Sequence, residues 1–208
     1  TFRPLLPVDE TRYLSVAWEM WVNGEYLVPH LNGEPYAHKP PLLFWLMNLG
    51  WHVFGVTEWW PRLIPPLFGL GCLFLISRIG LLLWPHNSQV AGSAPLLLLC
   101  TLFWTFFTTL TMFDTLLSFF TLLSHLGVVI AWKSRKLGGF FLLGLGIGLG
   151  GLTKGPVILV HLVPIALIAP IWGPRLPETM SSDEISFFRW NIKVLLAIFL
   201  ERQKMARE

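Results

Sequence analysis

Two long stretches of this chain carry almost no charge, and they limit the folds that it can adopt. Asp114 is the only Asp, Glu, Lys or Arg in residues 79–132, and Lys154 is the only one in residues 137–174. Apolar runs of roughly 20 residues are long enough to cross a bilayer as helices. The chain is 54% hydrophobic and 13% charged, which is about half the charged share of a soluble domain. These features predict an all-α polytopic membrane protein.

The hydrophobic pattern predicts three regions. Residues 1–61 form a first loop outside the membrane, residues 62–200 form a partial transmembrane bundle, and residues 201–208 form a polar tail at a truncated end. The predicted spans are 62–84, 92–112, 115–132, 138–153 and 156–172, with an incomplete one from about 190. Because the chain begins with Thr1 and stops soon after a new apolar run has begun, we expect it to be a fragment of a longer protein.

The first loop is predicted to hold two short helices. Residues 9–24 have apolar side chains at helical spacing, and Asn23-Gly24 ends that pattern. Residues 25–38 are rich in turn residues. The apolar stretch 40–56 is at the short limit for a span and contains Asn48 and His52, so we expect it to lie along the membrane interface.

Charge placement predicts the topology and excludes one class of partner. Lys133, Arg135 and Lys136 form a dense positive cluster in a short loop, which is predicted to be cytoplasmic. Counting spans from there places Asp114 and Lys154 on the opposite face, together with the first loop if 40–56 does not span. No basic stripe suited to nucleic acid is present. The two cysteines, inside apolar runs, are predicted to be buried structural residues.

An ordered set of short motifs resembles a known family. The set consists of Asp9-Glu10-Thr11-Arg12-Tyr13, Glu19-Met20, Gly24, Pro29, Gly33, Tyr36, Lys39-Pro40-Pro41, Phe54-Gly55, Glu58, Arg62, Phe113-Asp114 and Leu152-Thr153-Lys154-Gly155. It resembles the ArnT-like glycosyltransferases and the related dolichyl-phosphate-mannose–protein mannosyltransferases. The resemblance implies a GT-C-type transmembrane helical bundle with interfacial helices in its extracytoplasmic loop. It also implies sugar transfer from a polyprenyl-phosphate donor to a lipid, glycan or protein acceptor.

The resemblance implies a role for each charged residue, and each has a structural alternative. Asp9 is the expected catalytic carboxylate, or else the N-cap of a helix that starts at Glu10. Glu10 is a second catalytic carboxylate or a favourable first-turn charge. The donor phosphate is expected to be bound by Lys39, Arg12, Arg62 and Lys154. The alternative is a snorkelling interface lysine for Lys39 and a solvated helix face for Arg12. For Arg62 it is an interface anchor, and for Lys154 an exposed loop lysine. Asp114 and Tyr13 are expected to line the cavity, although Asp114 is also suited to cap a helix that begins at Thr115.

Cofactor, partners and location follow from the same resemblance. Many related sequences carry Glu where this chain has His38, so a divalent metal is possible rather than required, with His38 and Glu58 as weak ligand candidates beside His52. The expected partners are a polyprenyl-phosphate-linked sugar, an acceptor and membrane lipids. The expected location is the bacterial inner membrane, with the site facing the periplasm. A transporter or channel that uses Asp114 and Lys154 as pathway residues is the alternative function, and a structural membrane subunit is a third.

Overall fold

The computed structural model describes residues 8–134 and 137–172, with side chains described as far as residue 165. Helices dominate, and the two strands form one short antiparallel hairpin. The elements are α1 (Asp9–Asn23), β1 (His30–Leu31), β2 (Glu34–Pro35), α2 (Leu42–Phe54), α3 (Trp59–Leu83), α4 (Ser88–Leu99), α5 (Leu102–Phe107), α6 (Phe113–Ser134), α7 (Leu137–Lys154) and α8 (Val157–Trp172). The predicted α-helical class is confirmed. The predicted span near 190 and the tail 201–208 lie outside the described residues.

The helix predicted at 9–24 is α1, and its apolar positions form one buried face. Tyr13, Val16, Ala17 and Met20 are all buried, as expected of apolar residues that recur at helical spacing. Gly24 follows the helix with a φ of 67°, a left-handed conformation that glycine adopts without steric cost. The apolar face of α1 therefore packs into the protein core.

Helix α2 is too short to cross a membrane. Its 13 residues extend about 20 Å at 1.5 Å per residue, against a hydrocarbon core of about 30 Å. Asn48 is buried in this helix, and its amide donates to the carbonyl of Ala17 in α1 at 3.3 Å and to that of Phe44 at 2.9 Å. The short length and the hydrogen bond to α1 are compatible with the predicted interfacial helix at 40–56, whose position along the membrane interface stays a prediction.

Three helices of the described residues are long and apolar enough to cross a membrane, namely α3, α6 and α7. They contain 25, 22 and 18 residues and correspond to the spans predicted at 62–84, 115–132 and 138–153. Helix α8 coincides with the prediction at 156–172, and the first compact unit of the chain ends within it at Leu162. Buried side chains of α1, α2 and α6 share one hydrophobic core, so the first loop packs directly on the bundle.

The predicted span at 92–112 is wrong as a single helix. The segment forms α4 with 12 residues and α5 with 6, and the backbone between them is extended at Thr101. Hydroxyl groups compete with the helical ladder here, because Thr105 donates to the Leu99 carbonyl at 2.6 Å and Thr101 to that of Leu97 at 3.1 Å. Cys72 is buried as predicted, whereas Cys100 beside the break is exposed.

Side-chain contacts identify the two ends of the bundle. At one end, the Lys133 ammonium at the end of α6 donates to the carbonyl of Leu82 near the end of α3. At the other end, the start of α6 meets the end of α7 through Asp114 and Lys154. Lys133, the first residue of the densest positive cluster of the sequence, therefore lies at the end of the bundle opposite Asp114.

Glycines allow α6 and α7 to pack closely. A Cβ atom added to Gly139 would lie 2.4 Å from the backbone nitrogen of Ala131, and one added to Gly127 would lie 2.5 Å from that of Leu143. The glycine-rich segment therefore serves close helix approach. Helix α7 is continuous to Lys154, and the interruption that follows lies at Gly155, which has a φ of 67°, before α8 begins at Val157.

We expect Gly139→Ala to destabilise the protein by about 1–3 kcal/mol, because the new methyl group overlaps the α6 backbone. Gly138→Ala is the matched control, since a Cβ at Gly138 has nothing within 4 Å. Its higher helix propensity should leave stability equal or raised by at most about 1 kcal/mol. Thermal unfolding of the two variants in detergent checks this prediction. Equal melting temperatures would contradict the close packing of α6 and α7.

Candidate functional site

The first turn of α1 carries the carboxylate that the sequence singled out. Helix α1 begins at Asp9 itself, and Val8 occupies the capping position without a side-chain hydrogen bond. The alternative that Asp9 caps a helix starting at Glu10 is therefore wrong. Its carboxylate is paired with the guanidinium of Arg12 one turn later, and the two side chains are 39% and 36% exposed. This pair holds a partly exposed carboxylate at the end of the helix.

Glu10 lies in a different environment from its neighbour Asp9. It is 1% exposed, and its Oε1 accepts a hydrogen bond of 2.7 Å from the backbone N–H of Thr111. Thr111 is also fully buried and lies two residues before the start of α6. Glu10 thus attaches the first turn of α1 to the segment before α6, which is a role in positioning the site.

Aromatic rings form the floor beneath these charges. Phe113, which is 1% exposed, packs edge-on against Tyr13 with ring centroids 5.0 Å apart and against Phe44 at 5.5 Å. The ammonium of Lys39 lies 5.9 Å from the centre of the Phe113 ring. Lys39 therefore lies over the same aromatic ring that packs against Tyr13 of α1.

Lys39 is available to an anion, in contrast to Arg12. Among the described residues, no carboxylate pairs with Lys39, whose ammonium lies over the face of the Phe113 ring. An aromatic face attracts a cation by about 0.5–1 kcal/mol at an exposed site, which leaves the charge itself uncompensated. A phosphate oxygen can supply that compensation.

Two buried tyrosines border the cluster. Burial raises the pKa of Tyr13 above its ordinary value, and the nearby Asp9 carboxylate raises it further. Burial also raises the pKa of Tyr36, where Arg12 acts in the opposite direction. Both phenols therefore remain protonated near neutral pH. Tyr13 was predicted as a cavity residue, whereas Tyr36 belonged only to the motif set.

Asp114 and Lys154 contact each other. The Lys154 ammonium donates to Asp114 Oδ1 at 2.6 Å, and the side chains are 27% and 56% exposed. Asp114 lies in the first turn of α6, which starts at Phe113, so a cap for a helix beginning at Thr115 is ruled out. Because its charge is balanced within the pair, Lys154 is a weaker candidate than Lys39 for binding a phosphate.

Arg62 pairs with Glu58 at 3.2 Å near the start of α3, and its side chain is only 9% exposed. Glu58 borders an open groove of about 370 Å³ between α1 and the segment that follows α2. Trp18 and Trp51 line the same groove, with ring centroids 6.4 Å apart. Helical spacing places Trp18 on the face of α1 opposite Asp9. The groove therefore lies on the other side of α1 from the Asp9–Arg12 pair.

Each candidate metal ligand contacts a different neighbour in the described structure. Within the described ranges, no three His, Cys, Asp or Glu side chains converge as a metal site requires. Glu58 is paired with Arg62, His38 packs against Tyr36 at 5.3 Å between ring centroids, and His52 packs against the ring of Trp21.

The fold and the site together define an integral membrane protein with a charged cluster at one end of its helical bundle. The family model for dolichyl-phosphate-mannose-protein mannosyltransferases matches residues 38–200. The chain belongs to this family, as its motifs predicted.

Its relatives include bacterial transferases of a lipid-linked amino sugar. Proteins named undecaprenyl phosphate-alpha-4-amino-4-deoxy-L-arabinose arabinosyl transferase match it at 32% identity in both Erwinia tasmaniensis and Serratia proteamaculans. The alignments cover 86% and 81% of this chain, but only 33% and 31% of the relatives. The chain thus spans about a third of the length of the curated relatives that it matches.

Solved structures show the same helical fold. Crystal structures of ArnT from Cupriavidus metallidurans, in the apo state and bound to undecaprenyl phosphate, align with TM-scores of 0.71 and 0.72. Sequence identity is 26%, and each alignment covers 82% of this chain and 33% of the ArnT chain. The GT-C-type bundle expected from the motifs is therefore confirmed for the matched part.

Proposed function

We propose that the whole protein is a membrane glycosyltransferase that moves a sugar from a polyprenyl-phosphate donor to a lipid acceptor. The family match and the names of the relatives support this proposal. One ArnT structure is bound to undecaprenyl phosphate, which makes a polyprenyl phosphate the first donor carrier to test. The amino sugar in the relatives' names is accordingly the first sugar to test. Glycan and protein acceptors are the next to examine.

The observation that carries the proposal is the contact of Lys39 with Phe113, the ring that also packs against Tyr13 of α1. It places a cation that lacks a carboxylate partner among the described residues at the same end of the bundle as the Asp9 carboxylate. Sugar transfer from a polyprenyl phosphate needs both groups. The leaving phosphate gains charge as its bond to the sugar breaks, and the acceptor hydroxyl loses a proton.

The proposed reaction assigns one task to each group. The acceptor oxygen bonds to the anomeric carbon of the sugar while the bond from that carbon to the phosphate oxygen breaks. The Asp9 carboxylate takes the hydroxyl proton, and the polyprenyl phosphate leaves with the bonding electrons. Lys39 stabilises the departing phosphate as a point charge, and Arg12 both holds Asp9 and offers further N–H donors. Glu10 acts by anchoring α1 through its bond to Thr111.

We further propose that the site faces the non-cytoplasmic side of a bacterial inner membrane. Lys133 lies at one end of the bundle and begins the densest positive cluster of the sequence, and loops with such clusters favour the cytoplasm. The cluster of Asp9, Lys39 and Asp114 lies at the other end. A carrier lipid in the outer leaflet would then present its phosphate at the level of Lys39.

The transporter alternative receives no support from the family match. It required Asp114 and Lys154 to act as pathway charges inside the membrane. They instead pair with each other at the ends of α6 and α7, beside the other charged residues of the site. Their placement agrees with a site at the membrane surface.

The proposal is tested with the full-length protein in liposomes, supplied with undecaprenyl phosphate carrying radiolabelled 4-amino-4-deoxy-L-arabinose and with lipid A. We expect label to appear in lipid A, at a rate that is lower when mannose replaces the amino sugar. If label appeared instead in an acceptor peptide or glycan, the acceptor would be a protein or a glycan rather than a lipid. Transfer from no polyprenyl-phosphate donor to any acceptor would overturn the proposed function.

A further inference from the structure

A carboxylate that has no place in the proposed reaction holds the loop that leads to Lys39. Glu19 lies in α1, ten residues after Asp9, and faces the turn of the β1–β2 hairpin. Its Oε2 accepts a hydrogen bond of 3.1 Å from the N–H of Gly33, and its Oε1 accepts one from the N–H of Asn32. Both oxygens of one carboxylate are therefore engaged by a single turn.

The hairpin itself explains why that turn needs an external acceptor. Leu31 pairs with Glu34, which leaves Asn32 and Gly33 as a two-residue loop. Both have positive φ, 56° and 81°, as the tight turns that join twisted antiparallel strands require. Strands of two residues each are too short to be stable alone. The two loop N–H groups lack partners within the hairpin, and Glu19 supplies them with charge-assisted bonds.

The far arm of the hairpin determines where Lys39 lies. After β2, the N–H of Tyr36 donates to the carbonyl of Pro29 at 2.7 Å, which closes the loop. The Tyr36 ring is 6% exposed and packs 6.3 Å from Phe44, which itself packs against Phe113. Lys39 follows three residues later with its ammonium at Phe113.

We propose that Glu19 is a positioning residue that sets the place of Lys39 relative to Asp9. This inference depends on the proposed function for its kinetic consequence, but not for its structural basis. Helix α1 is a rigid element that carries Asp9 in its first turn and the anchored hairpin at Glu19. Fixing the hairpin to the same helix fixes the two groups that must act on one donor.

Steady-state transfer and undecaprenyl phosphate binding by the full-length protein test the role of Glu19. Glu19→Ala removes both acceptors, and we expect a loss of about 10- to 100-fold in kcat/KM for the donor, the range for losing one or two charge-assisted bonds. Glu19→Gln keeps one acceptor oxygen and should recover part of the activity. Glu34→Gln is the matched control, because it changes an exposed carboxylate of the same hairpin. Its kinetics should equal those of the wild type.

A double-mutant comparison separates positioning from general stability. If Glu19 acts through Lys39, adding Glu19→Ala to Lys39→Met should lower transfer by less than about twofold further, because the group being positioned is already gone. Losses that multiply in the double variant would overturn the proposal. Wild-type kinetics in Glu19→Ala would overturn it as well.

Amide hydrogen exchange gives a readout that does not depend on catalysis. The peptide that contains Asn32, Gly33 and Tyr36 should exchange at least about tenfold faster in Glu19→Ala than in Glu34→Gln, while α6 stays equally protected. Unchanged exchange in that peptide would overturn the anchoring role even if no donor supported transfer. Absence of transfer together with faster exchange would overturn the proposed function and keep the anchor.

Discussion

Replacing Asp9 with Asn is expected to lower the rate of sugar transfer by about 10²- to 10⁴-fold, the usual contribution of a general base. The amide has nearly the same shape and still offers an oxygen to Arg12, but it cannot take a proton from the acceptor hydroxyl. Because Asp9 is only partly buried and starts its helix, the protein should fold normally. The effect should therefore appear in kcat, with donor binding close to that of the wild type.

The measurement is single-turnover transfer by the full-length protein with donor already bound, beside equilibrium binding of undecaprenyl phosphate. Glu34→Gln again provides an exposed carboxylate control. Arg12→Lys keeps a positive charge near Asp9 but loses the bidentate guanidinium, so its loss should be smaller and should extend to donor binding. Transfer at the wild-type rate in Asp9→Asn would remove Asp9 from the chemical step.

Replacing Lys39 with Met should lower kcat/KM for the donor by about 10²- to 10³-fold, comparable to the loss of one preorganised group that stabilises transition-state charge. Methionine retains an apolar side chain against Phe113, so the packing beneath the ammonium is largely preserved. Undecaprenyl phosphate should bind more weakly as well. Lys39→Arg restores the charge and should recover part of both losses.

The effect of Lys154→Met on transfer should be compared with that of Lys39→Met. The sequence placed Lys39 and Lys154 in the same phosphate-binding group, but Lys154 already shares its charge with Asp114 at 2.6 Å. We expect the Lys154 variant to lose less than about tenfold in kcat/KM, because a half-exposed pair contributes little. An equal or larger loss in Lys154→Met than in Lys39→Met would reverse the assignment of the phosphate ligand.

The sequence was sufficient to predict the helices whose apolar residues recur at helical spacing or form one long apolar run. The apolar face of α1 and the lengths of α3, α6 and α7 all follow from local spacing and hydropathy. The prediction of one span at 92–112 was wrong, because a hydropathy average does not register threonine hydroxyls. These hydroxyls bond to backbone carbonyls where the segment divides into α4 and α5. In this segment, side-chain hydrogen bonds to the backbone affected the secondary structure more than the average hydropathy did.

The candidate site residues were proposed from motifs, and how they pair with one another became apparent only from the fold. Nothing local indicates that Lys154 meets Asp114, because the contact depends on how α6 and α7 pack. The position of Glu10 in the first turn of a helix suggests an exposed side chain, yet the segment before α6 buries it. Glu19 could have been suspected from Asn32-Gly33, since that dipeptide indicates a tight hairpin whose loop N–H groups need an acceptor.

The bond between Glu10 and Thr111 also bears on the order in which the protein assembles. It joins residues 101 positions apart, so the first turn of α1 cannot be fastened until α3, α4 and α5 have been synthesised. Contacts of such long range form late, after shorter loops have closed. A nascent chain that ends before Thr111 would hold α1 and α2 beside the membrane without a fixed place for Asp9. The first turn of α1 therefore gains its fixed place only when the segment before α6 has been made, and of the three long apolar helices of the described residues only α3 precedes that segment.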